Sequence, residues 1–311
     1  MDSVHSLVAG FATIGQGAGP MIVTEQAGLF AKQGLAVKTV LLKGAVGVVR
    51  ALRNGEIQFG NLASPALLRA GLLDGSDLVY LTGGINQQFL MSRPGIENLQ
   101  QLSGGKIGFA GDGGLNDLLV NFLLEQLPKE GIQGVSMVPG SVSTKDRSER
   151  LMKGEIDAEI ITPPEAMEAR RQGCSFLIDF AKYGFNFALG GIAASRAYIR
   201  ENEEITRKFV RAYVEGMHRY RTDRDFTVQV QQEYSGIPDR SIAEETFDIT
   251  SPGMPQKPYP VVEALRKALQ IMSREIPRAA TADPGMFVDD RFVRELDEGG
   301  FIAQLYERGG K

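Results

Sequence analysis

The chain has 311 residues, 43% of them apolar and 23% charged, and its 34 basic and 38 acidic residues give a net charge of −4. This length and composition are typical of a soluble globular protein with about two domains. A slightly acidic chain has no general attraction for nucleic acid or anionic lipid, so neither is expected as a main partner. The single cysteine, Cys174, excludes an internal disulfide and a cysteine-based zinc site. Only two histidines are available for metal binding or catalysis, and we expect no metal.

Short apolar runs alternate with helical segments over the first 195 residues. We predict strands at residues 7–12, 37–42, 57–62 and 78–82. Helices are predicted to begin near Pro20, Ala45 and Ser64, because proline suits the first turn of a helix and Asn54-Gly55 stops the second one. Strands and helices that alternate through short loops indicate an α/β fold with a mostly parallel sheet and helices on both faces.

The same order returns about one hundred residues later, with strands predicted at residues 107–110, 135–138 and 156–161 and a helix from 112 to 127. Gly10-Phe11-Ala12 matches Gly108-Phe109-Ala110 at an offset of 98, and Leu52-x-x-Gly55-Glu56-Ile57 matches Leu151-x-x-Gly154-Glu155-Ile156 at an offset of 99. The two offsets nearly agree, which predicts two lobes built alike. Chance similarity between α/β segments is the alternative.

After residue 195 the alternation ends. Ile205, Phe209, Tyr213, Met217 and Tyr220 fall at helical spacing within residues 202–221, and further helices are predicted at 261–272 and 291–296. Without strands this tail cannot form a third α/β lobe, and we expect it to pack on the first lobe.

Two features of the sequence are candidates for cofactor binding or catalysis. Gly15-x-Gly17-x-Gly19 follows a strand, but Pro20 takes the place of the third glycine of a dinucleotide fingerprint, so no nucleotide cofactor is expected. Cys174 begins an apolar run with no histidine nearby in the sequence, which favours a buried, inert thiol over a nucleophile.

The carboxyl ends of the predicted parallel strands are the expected place for a ligand, because helix N-termini there direct N–H groups into the crevice. The loops concerned lie at residues 13–16, 43–44 and 63–64 in the first lobe, and at 112–116, 139–140 and 162–163 in the second. For Ser64 and Thr162 helix capping is the alternative, and for Lys43 a solvated side chain.

Three segments of the sequence, in their order and spacing, resemble segments of one protein family. They are Glu25-Gln26-Ala27-Gly28-Leu29-Phe30-Ala31-Lys32-Gln33-Gly34-Leu35-Ala36-Val37, Ala51-Leu52-Arg53-Asn54-Gly55-Glu56-Ile57-Gln58-Phe59-Gly60 with Ala63-Ser64-Pro65, and Leu102-Ser103-Gly104-Gly105-Lys106-Ile107-Gly108. The chain resembles the solute-binding proteins of ABC importers for nitrate, sulfonates, taurine and thiamine-precursor pyrimidines, which have the type 2 periplasmic binding protein fold. The resemblance covers most of residues 7–200.

This resemblance implies two α/β lobes with mixed, mostly parallel sheets, residues 1–88 with 194–311 forming lobe 1 and residues 89–193 forming lobe 2. Crossover segments at 83–92 and 186–194 would act as hinges. It further implies an extracytoplasmic monomer, its signal peptide removed, that delivers a small molecule to an ABC permease. The ligand contacts carried over by position are Thr13, Gln16, Lys43, Ser64, Gly113, Gly114, Asn116 and Thr162.

The expected ligand is a small organic molecule, an anion such as a sulfonate or a carboxylate. Phe11, Phe89, Phe185 and Phe187 fall near the expected cleft and hinge, which favours an aromatic or aliphatic body, although core packing explains them equally well. The alternative is an enzyme on the same scaffold, similar to a pyrimidine synthase or to a desulfinase or decarboxylase. The lack of a histidine near the cleft loops and the single cysteine disfavour that chemistry.

Overall fold

Two five-stranded sheets organise the part of the chain that the computed structural model describes, residues 5–15, 17–84, 87–111, 113–141, 143–181 and 190–308. In chain order the strands are β1 (His5–Phe11), β2 (Leu35–Leu41), β3 (Phe59–Leu62), β4 (Leu78–Tyr80), β5 (Phe89–Ser92), β6 (Lys106–Phe109), β7 (Ser136–Pro139), β8 (Ala158–Ile161), β9 (Ser175–Asp179) and β10 (Gly191–Ser195).

The two sheets have the same topology. The first has the order β2-β1-β3-β10-β4 and the second the order β7-β6-β8-β5-β9. In each, the first three strands are parallel, and the fourth is antiparallel to both of its neighbours. The fourth strand comes in both cases from the segment that has just crossed from the other lobe. The predicted pair of mixed, mostly parallel sheets is therefore confirmed.

Helices flank both sheets. In chain order they are α1 (Gly19–Gln26), α2 (Leu29–Lys32), α3 (Gly44–Arg53), α4 (Ser64–Asp74), α5 (Leu115–Gln126), α6 (Thr144–Met152), α7 (Glu165–Arg171), α8 (Arg196–Glu201), α9 (Glu203–Thr222), α10 (Arg224–Ser235), α11 (Arg240–Thr250), α12 (Val262–Met272), α13 (Arg291–Glu298) and α14 (Phe301–Arg308). None of these described helices combines the length and apolar character needed to cross a bilayer.

Glycines allow the two crossover segments to lie side by side. A Cβ atom on Gly84 would come within 2.9 Å of the carbonyl oxygen of Gly190, and a Cβ on Gly191 would collide with the carbonyl oxygen of Thr82. Close approach of two backbones therefore requires glycine at these positions. Residues 85–86 and 182–189, which include parts of both predicted hinges, lie outside the described residues. The predicted domain boundaries and the hinges stay predictions.

The helical tail packs on the first lobe, as expected. The ring of Phe209 in α9 stacks on Phe59 of β3 at 3.8 Å and on Phe30 of α2 at 4.8 Å, measured between ring centroids. These side chains are fully or almost fully buried and belong to one apolar core with Tyr213 and Met217. The helical spacing in the sequence correctly identified this face of α9.

The tail also contacts the second lobe, which the sequence did not predict. Arg171 of α7 bonds Asp239 just before α11 at 2.7 Å, and Arg170 bonds Glu245 of α11 at 3.0 Å. Farther along, Arg274 after α12 pairs with Glu125 of α5. Residues of the tail thus connect the lobes in addition to the two crossovers.

Candidate functional site

The carboxyl ends of the parallel strands of both sheets face one cavity of about 100 Å³, named here the inner cavity. Thr13 and Asn61 contribute polar side chains from the first lobe, and Asn116, Thr144, Arg147 and Thr162 contribute them from the second. The loops after β1 and β8 meet beside it, where a Cβ atom on Gly15 would lie 3.6 Å from the hydroxyl oxygen of Thr162. Described residues from five of the six predicted loops therefore lie on this wall, whereas residues 139–140 do not belong to it.

Five helices of eight or more residues begin at the wall of the inner cavity. The wall includes the residues at the start of α1, α3 and α4 from the first lobe and of α5 and α6 from the second. A helix N-terminus carries a partial positive charge of roughly half an electron because the peptide dipoles align along the axis. Five such ends around one space produce a positive potential that favours an anion.

Arg147 is a cation on this wall. Only 7% of its side chain is exposed, and its Nε donates to Oε1 of Glu159 at 3.2 Å while Nη1 donates to the carbonyl oxygen of Ser141 at 2.8 Å. An arginine has five N–H donors in a planar fork, so these two bonds orient the guanidinium and leave donors for a ligand in the cavity.

Glu159 holds Arg147 from inside the sheet. Its side chain is fully buried in β8, and its Oε1 also accepts from Asn116 Nδ2 at 3.0 Å and from the Ile160 N–H at 2.9 Å. Burial raises the pKa of Glu159, while the charge of Arg147 acts in the opposite direction. Oε2 has no hydrogen-bond partner among the described residues. A Cβ on Gly108 would collide with this oxygen, so the adjacent strand needs glycine there.

The two lobes differ at this point although they share a topology. At the offset of 99, Val48 and Gly60 of the first lobe take the places of Arg147 and Glu159, and a Cβ on Gly60 would come 2.6 Å from Val48 Cγ1. Lobe 1 thus has an apolar contact where lobe 2 has a buried ion pair. The side-chain charge at the inner cavity belongs to the second lobe.

The residues predicted from the sequence to contact the ligand lie in different parts of the structure. Thr13, Gly114, Asn116 and Thr162 lie on the wall of the inner cavity. The amide of Asn116 is engaged with protein, since its Oδ1 accepts from the Ala110 N–H at 2.8 Å and its Nδ2 donates to Glu159. It therefore holds the loop in place as well as facing the cavity. Gln16 lies outside the described residues.

Gly113 lies away from the inner cavity. Its N–H donates to Oδ2 of Asp117 at 2.6 Å, and Oδ1 of the same carboxylate accepts from the Gly111 N–H at 2.8 Å. The backbone N–H of Gly113 is therefore occupied by Asp117, and the ligand contact expected at Gly113 stays a prediction. Gly113 instead lines a cavity of about 440 Å³ between α4, α5 and α12, named here the arginine cavity for Arg69 and Arg274 on its wall.

Ser64 is fully buried at the start of α4, and its hydroxyl has no hydrogen-bond partner among the described residues. Helix capping by this hydroxyl is therefore not observed. Its neighbour Ala63, rather than Ser64 itself, belongs to the wall of the inner cavity.

Lys43 lines a cavity of about 310 Å³ that adjoins the inner one, named here the lysine cavity. The two share Ala12, Thr13, Gly44 and Thr144 as wall residues. Lys145 and Glu165 of the second lobe also line it, with apolar side chains from the first lobe. Burial raises the pKa of Glu165 to about 7, so this carboxyl is partly protonated at neutral pH.

Sequence reasoning missed Arg147, together with Asn61, Gln88 and Thr144 on the same wall. One signal was available. Glu159 interrupts the apolar run Ile156-Asp157-Ala158-Glu159-Ile160-Ile161, and an acid within a buried strand needs a cationic or hydrogen-bonding partner. The cationic partner of Glu159 is expected at the same edge of the sheet, and Arg147 lies there, in the first turn of α6.

The cysteine and the aromatic side chains lie elsewhere. Cys174 is buried in the second-lobe core with Phe89, Met91 and Ile161, as expected for an inert thiol, and burial raises its pKa. Phe11 is likewise in an apolar core, while Phe185 and Phe187 lie outside the described residues. Neither cysteine nor histidine lines the inner or the lysine cavity within the described chain.

Two mixed sheets of the same topology, joined by two crossovers with a cavity between them, define the fold of type 2 periplasmic binding proteins. The chain belongs to the NMT1/THI5-like family, whose model matches residues 17–223. Comparison with curated protein sequences finds no significant match.

Solved structures share the fold over almost the whole chain. The periplasmic nitrate-binding protein NrtA from Synechocystis PCC 6803 matches with a TM-score of 0.79 at 14% identity, covering 97% of this chain and 91% of that one. The alkanesulfonate-binding protein SsuA from Xanthomonas axonopodis pv. citri, bound to MOPS, matches with a TM-score of 0.74 at 16% identity, covering 93% and 100%. The desulfurization enzyme DszB matches with a TM-score of 0.71 at 16% identity, covering 95% and 99%. At these identities the likeness concerns the fold.

Proposed function

We propose that this protein is the extracytoplasmic solute-binding component of an ABC importer and that its ligand is a small organic anion, such as a sulfonate or a carboxylate. The observation that carries the proposal is the inner cavity, where five helix N-termini from both lobes surround the buried guanidinium of Arg147. The likeness in fold to nitrate-binding and alkanesulfonate-binding proteins supports the same ligand class.

The volume of the inner cavity supports an acidic head group as the part bound there. Pockets for drug-sized ligands measure roughly 300–1,000 Å³, whereas the inner cavity measures about 100 Å³. A sulfonate or carboxylate group fits the inner cavity, and the body of the ligand then extends into an adjoining cavity.

Capture works by closure of the lobes. Thr13 and Asn61 contact the ligand from one lobe, and Arg147 and Thr162 contact it from the other, so only a closed form satisfies both sets. A ligand shifts the population toward the closed form by its differential affinity for that form. The closed molecule then presents one outer surface to the permease and acts as a monomer.

We further propose that the protein binds its ligand without transforming it. The fold is compatible with an enzyme, since DszB shares it. Cys174 is buried in the second-lobe core, His218 of α9 packs edge-on against Tyr306, and His5 begins β1. None of these groups belongs to the wall of the inner cavity, which disfavours thiol or imidazole catalysis there.

A thermal-shift screen over nitrate, alkanesulfonates, taurine, carboxylates, aromatic acids and pyrimidines tests the proposal. A ligand that binds only the folded state raises Tm by mass action, and its Kd is then measured by calorimetry. We expect anions to stabilise the protein, with neutral pyrimidines inactive. NMR spectra of the best binder after prolonged incubation should show it unchanged. Turnover of that compound would favour the enzyme, and stabilisation by uncharged compounds alone would contradict the anion site.

A further inference from the structure

The lysine cavity brings together one lysine from each lobe. Lys43 immediately precedes α3 of the first lobe, and Lys145 lies in the first turn of α6 of the second. Within the described chain neither lysine forms an ion pair or a side-chain hydrogen bond. Closing the lobes therefore brings two positive charges, which Glu165 offsets only in part, to the same space, and this opposes closure unless an anion lies between them.

Glu165 is the acidic group of this cavity and faces several charges. It begins α7, with Glu168 on the same helix, Lys145 and Arg147 on α6, and Tyr234 on α10 in its surroundings. Since its burial leaves it partly protonated at neutral pH, it offsets at most one of the two lysines. The lysine cavity keeps a net positive charge.

The arginine cavity, on the other side of Gly114, has more acidic than basic side chains on its wall. Arg69 is bonded to Glu275 at 3.0 Å, and Arg274 is paired with Glu125. Asp117 adds a third acid to these two arginines. A second acidic group that extends from the inner cavity is therefore attracted toward the lysines and repelled from the arginine cavity.

We propose that the ligand carries two acidic groups on a short carbon chain, one bound beside Arg147 in the inner cavity and the other between Lys43 and Lys145. This inference rests on the proposed function and extends it from an anion to a dianion. Ile14, Leu41 and Leu42 on the wall of the lysine cavity are suited to the aliphatic stretch between the two acids.

Calorimetry with matched probes tests the inference. In 3-sulfopropionate a carboxylate replaces the terminal methyl group of propane-1-sulfonate, and succinate differs from butyrate in the same way. We expect each dianion to bind at least about 10-fold more tightly than its monoanion, because the positive charges of two exposed lysines at one cavity favour the second acidic group. The preference should shrink at high salt, since the lysines are screened more strongly than buried Arg147.

The variants Lys43→Ala and Lys145→Ala locate the second acid. Each should weaken dianion binding by about 5- to 10-fold while monoanion binding stays within about twofold. Lys208→Ala, which removes an exposed lysine on α9, is the matched control and should change neither. Unfolding curves for the three variants report any loss of fold.

The pattern of outcomes separates this inference from the proposed function. Equal affinities within a pair, or lysine variants that weaken both members alike, would overturn the dianion assignment and leave an Arg147-dependent monoanion site intact. If no member of either pair bound, both proposals would fail.

Discussion

Replacing the buried ion pair of the second lobe separates the role of Arg147 in ligand binding from its role in stability. Arg147→Met keeps an unbranched apolar stem and removes the guanidinium. It leaves fully buried Glu159 with the hydrogen bonds from Asn116 and the Ile160 N–H but without a cation. A buried charge that loses its partner costs about 3–5 kcal/mol, so we expect this variant to be strongly destabilised.

The double variant Arg147→Met/Glu159→Gln removes that penalty. Glutamine keeps a carbonyl oxygen for the two hydrogen bonds and carries no charge, so the cost of an unpaired buried charge is removed. The amide nitrogen of the glutamine takes the place of Oε2, which has no hydrogen-bond partner among the described residues, so we expect a loss of about 1–3 kcal/mol, smaller than that of Arg147→Met. Glu159→Gln alone leaves the guanidinium without its anion and should bind anionic probes at least as tightly as the wild type.

The variants are expected to rank differently in ligand affinity than in stability. A hydrogen bond to a charged group contributes about 1.5–3 kcal/mol, which corresponds to a factor of about 10 to 150 in Kd. The double variant should therefore lose this factor for the anions of the screen although it folds normally. Calorimetry and urea unfolding on the four proteins give both quantities. A double variant that folds like the wild type and binds within twofold of it would refute the placement of the ligand at Arg147.

The pH dependence of Arg147→Met has a defined sign. Without the arginine, burial raises the pKa of Glu159 unopposed by that charge. A carboxyl whose pKa is raised on folding contributes most at low pH, and its contribution is lost as pH rises through the folded-state pKa. The deficit of this variant relative to the wild type should therefore be largest at high pH.

Three further changes test other parts of the structure. Burial raises the pKa of Glu165 from 4.5 to about 7. In urea titrations the stability of the wild type relative to Glu165→Gln should therefore fall by about 2–3 kcal/mol as pH rises from 4.5 to 7, and then level off. A stability difference that did not change with pH would contradict the burial of Glu165. Cys174→Ser should cost about 1–2 kcal/mol from an unpaired hydroxyl in an apolar core while anion affinity stays within twofold, and a large loss of affinity would support the nucleophile. In Gly108→Ala the new Cβ would collide with Glu159, whereas in Gly10→Ala it would meet the flexible tips of Ile57 and Leu42 at 2.7 Å. We therefore expect Gly108→Ala to weaken anion binding more than Gly10→Ala does. Calorimetry that showed the reverse order would count against the packing of Gly108 on Glu159.

The internal repeat made most of the fold predictable. Matching residues at offsets of 98 and 99 placed β3 and β8 in equivalent positions, and in the structure both strands have four residues and occupy the third position of their sheets. The crossover strands β5 and β10 were not separated from the hinges in the sequence. Each is only four or five residues long, and its strand character comes from antiparallel pairing with segments far away in the chain.

The site was predictable in its loops but not in its charge. Thr13, Asn116 and Thr162 follow strands of the repeat, so their common edge could be inferred from topology alone. Arg147 stands in Lys145-Asp146-Arg147-Ser148-Glu149-Arg150, which has the composition of a solvated helix face. Its burial depends on the fully buried Glu159 across the layer, a contact between side chains twelve residues apart.

A crystal structure of the protein with the anion that gives the largest thermal shift tests the central claim most directly. We expect an acidic group of this molecule to lie within hydrogen-bond distance of the Arg147 guanidinium, with atoms of both lobes in contact with the ligand. A ligand found on one lobe only, or away from Arg147, would contradict it.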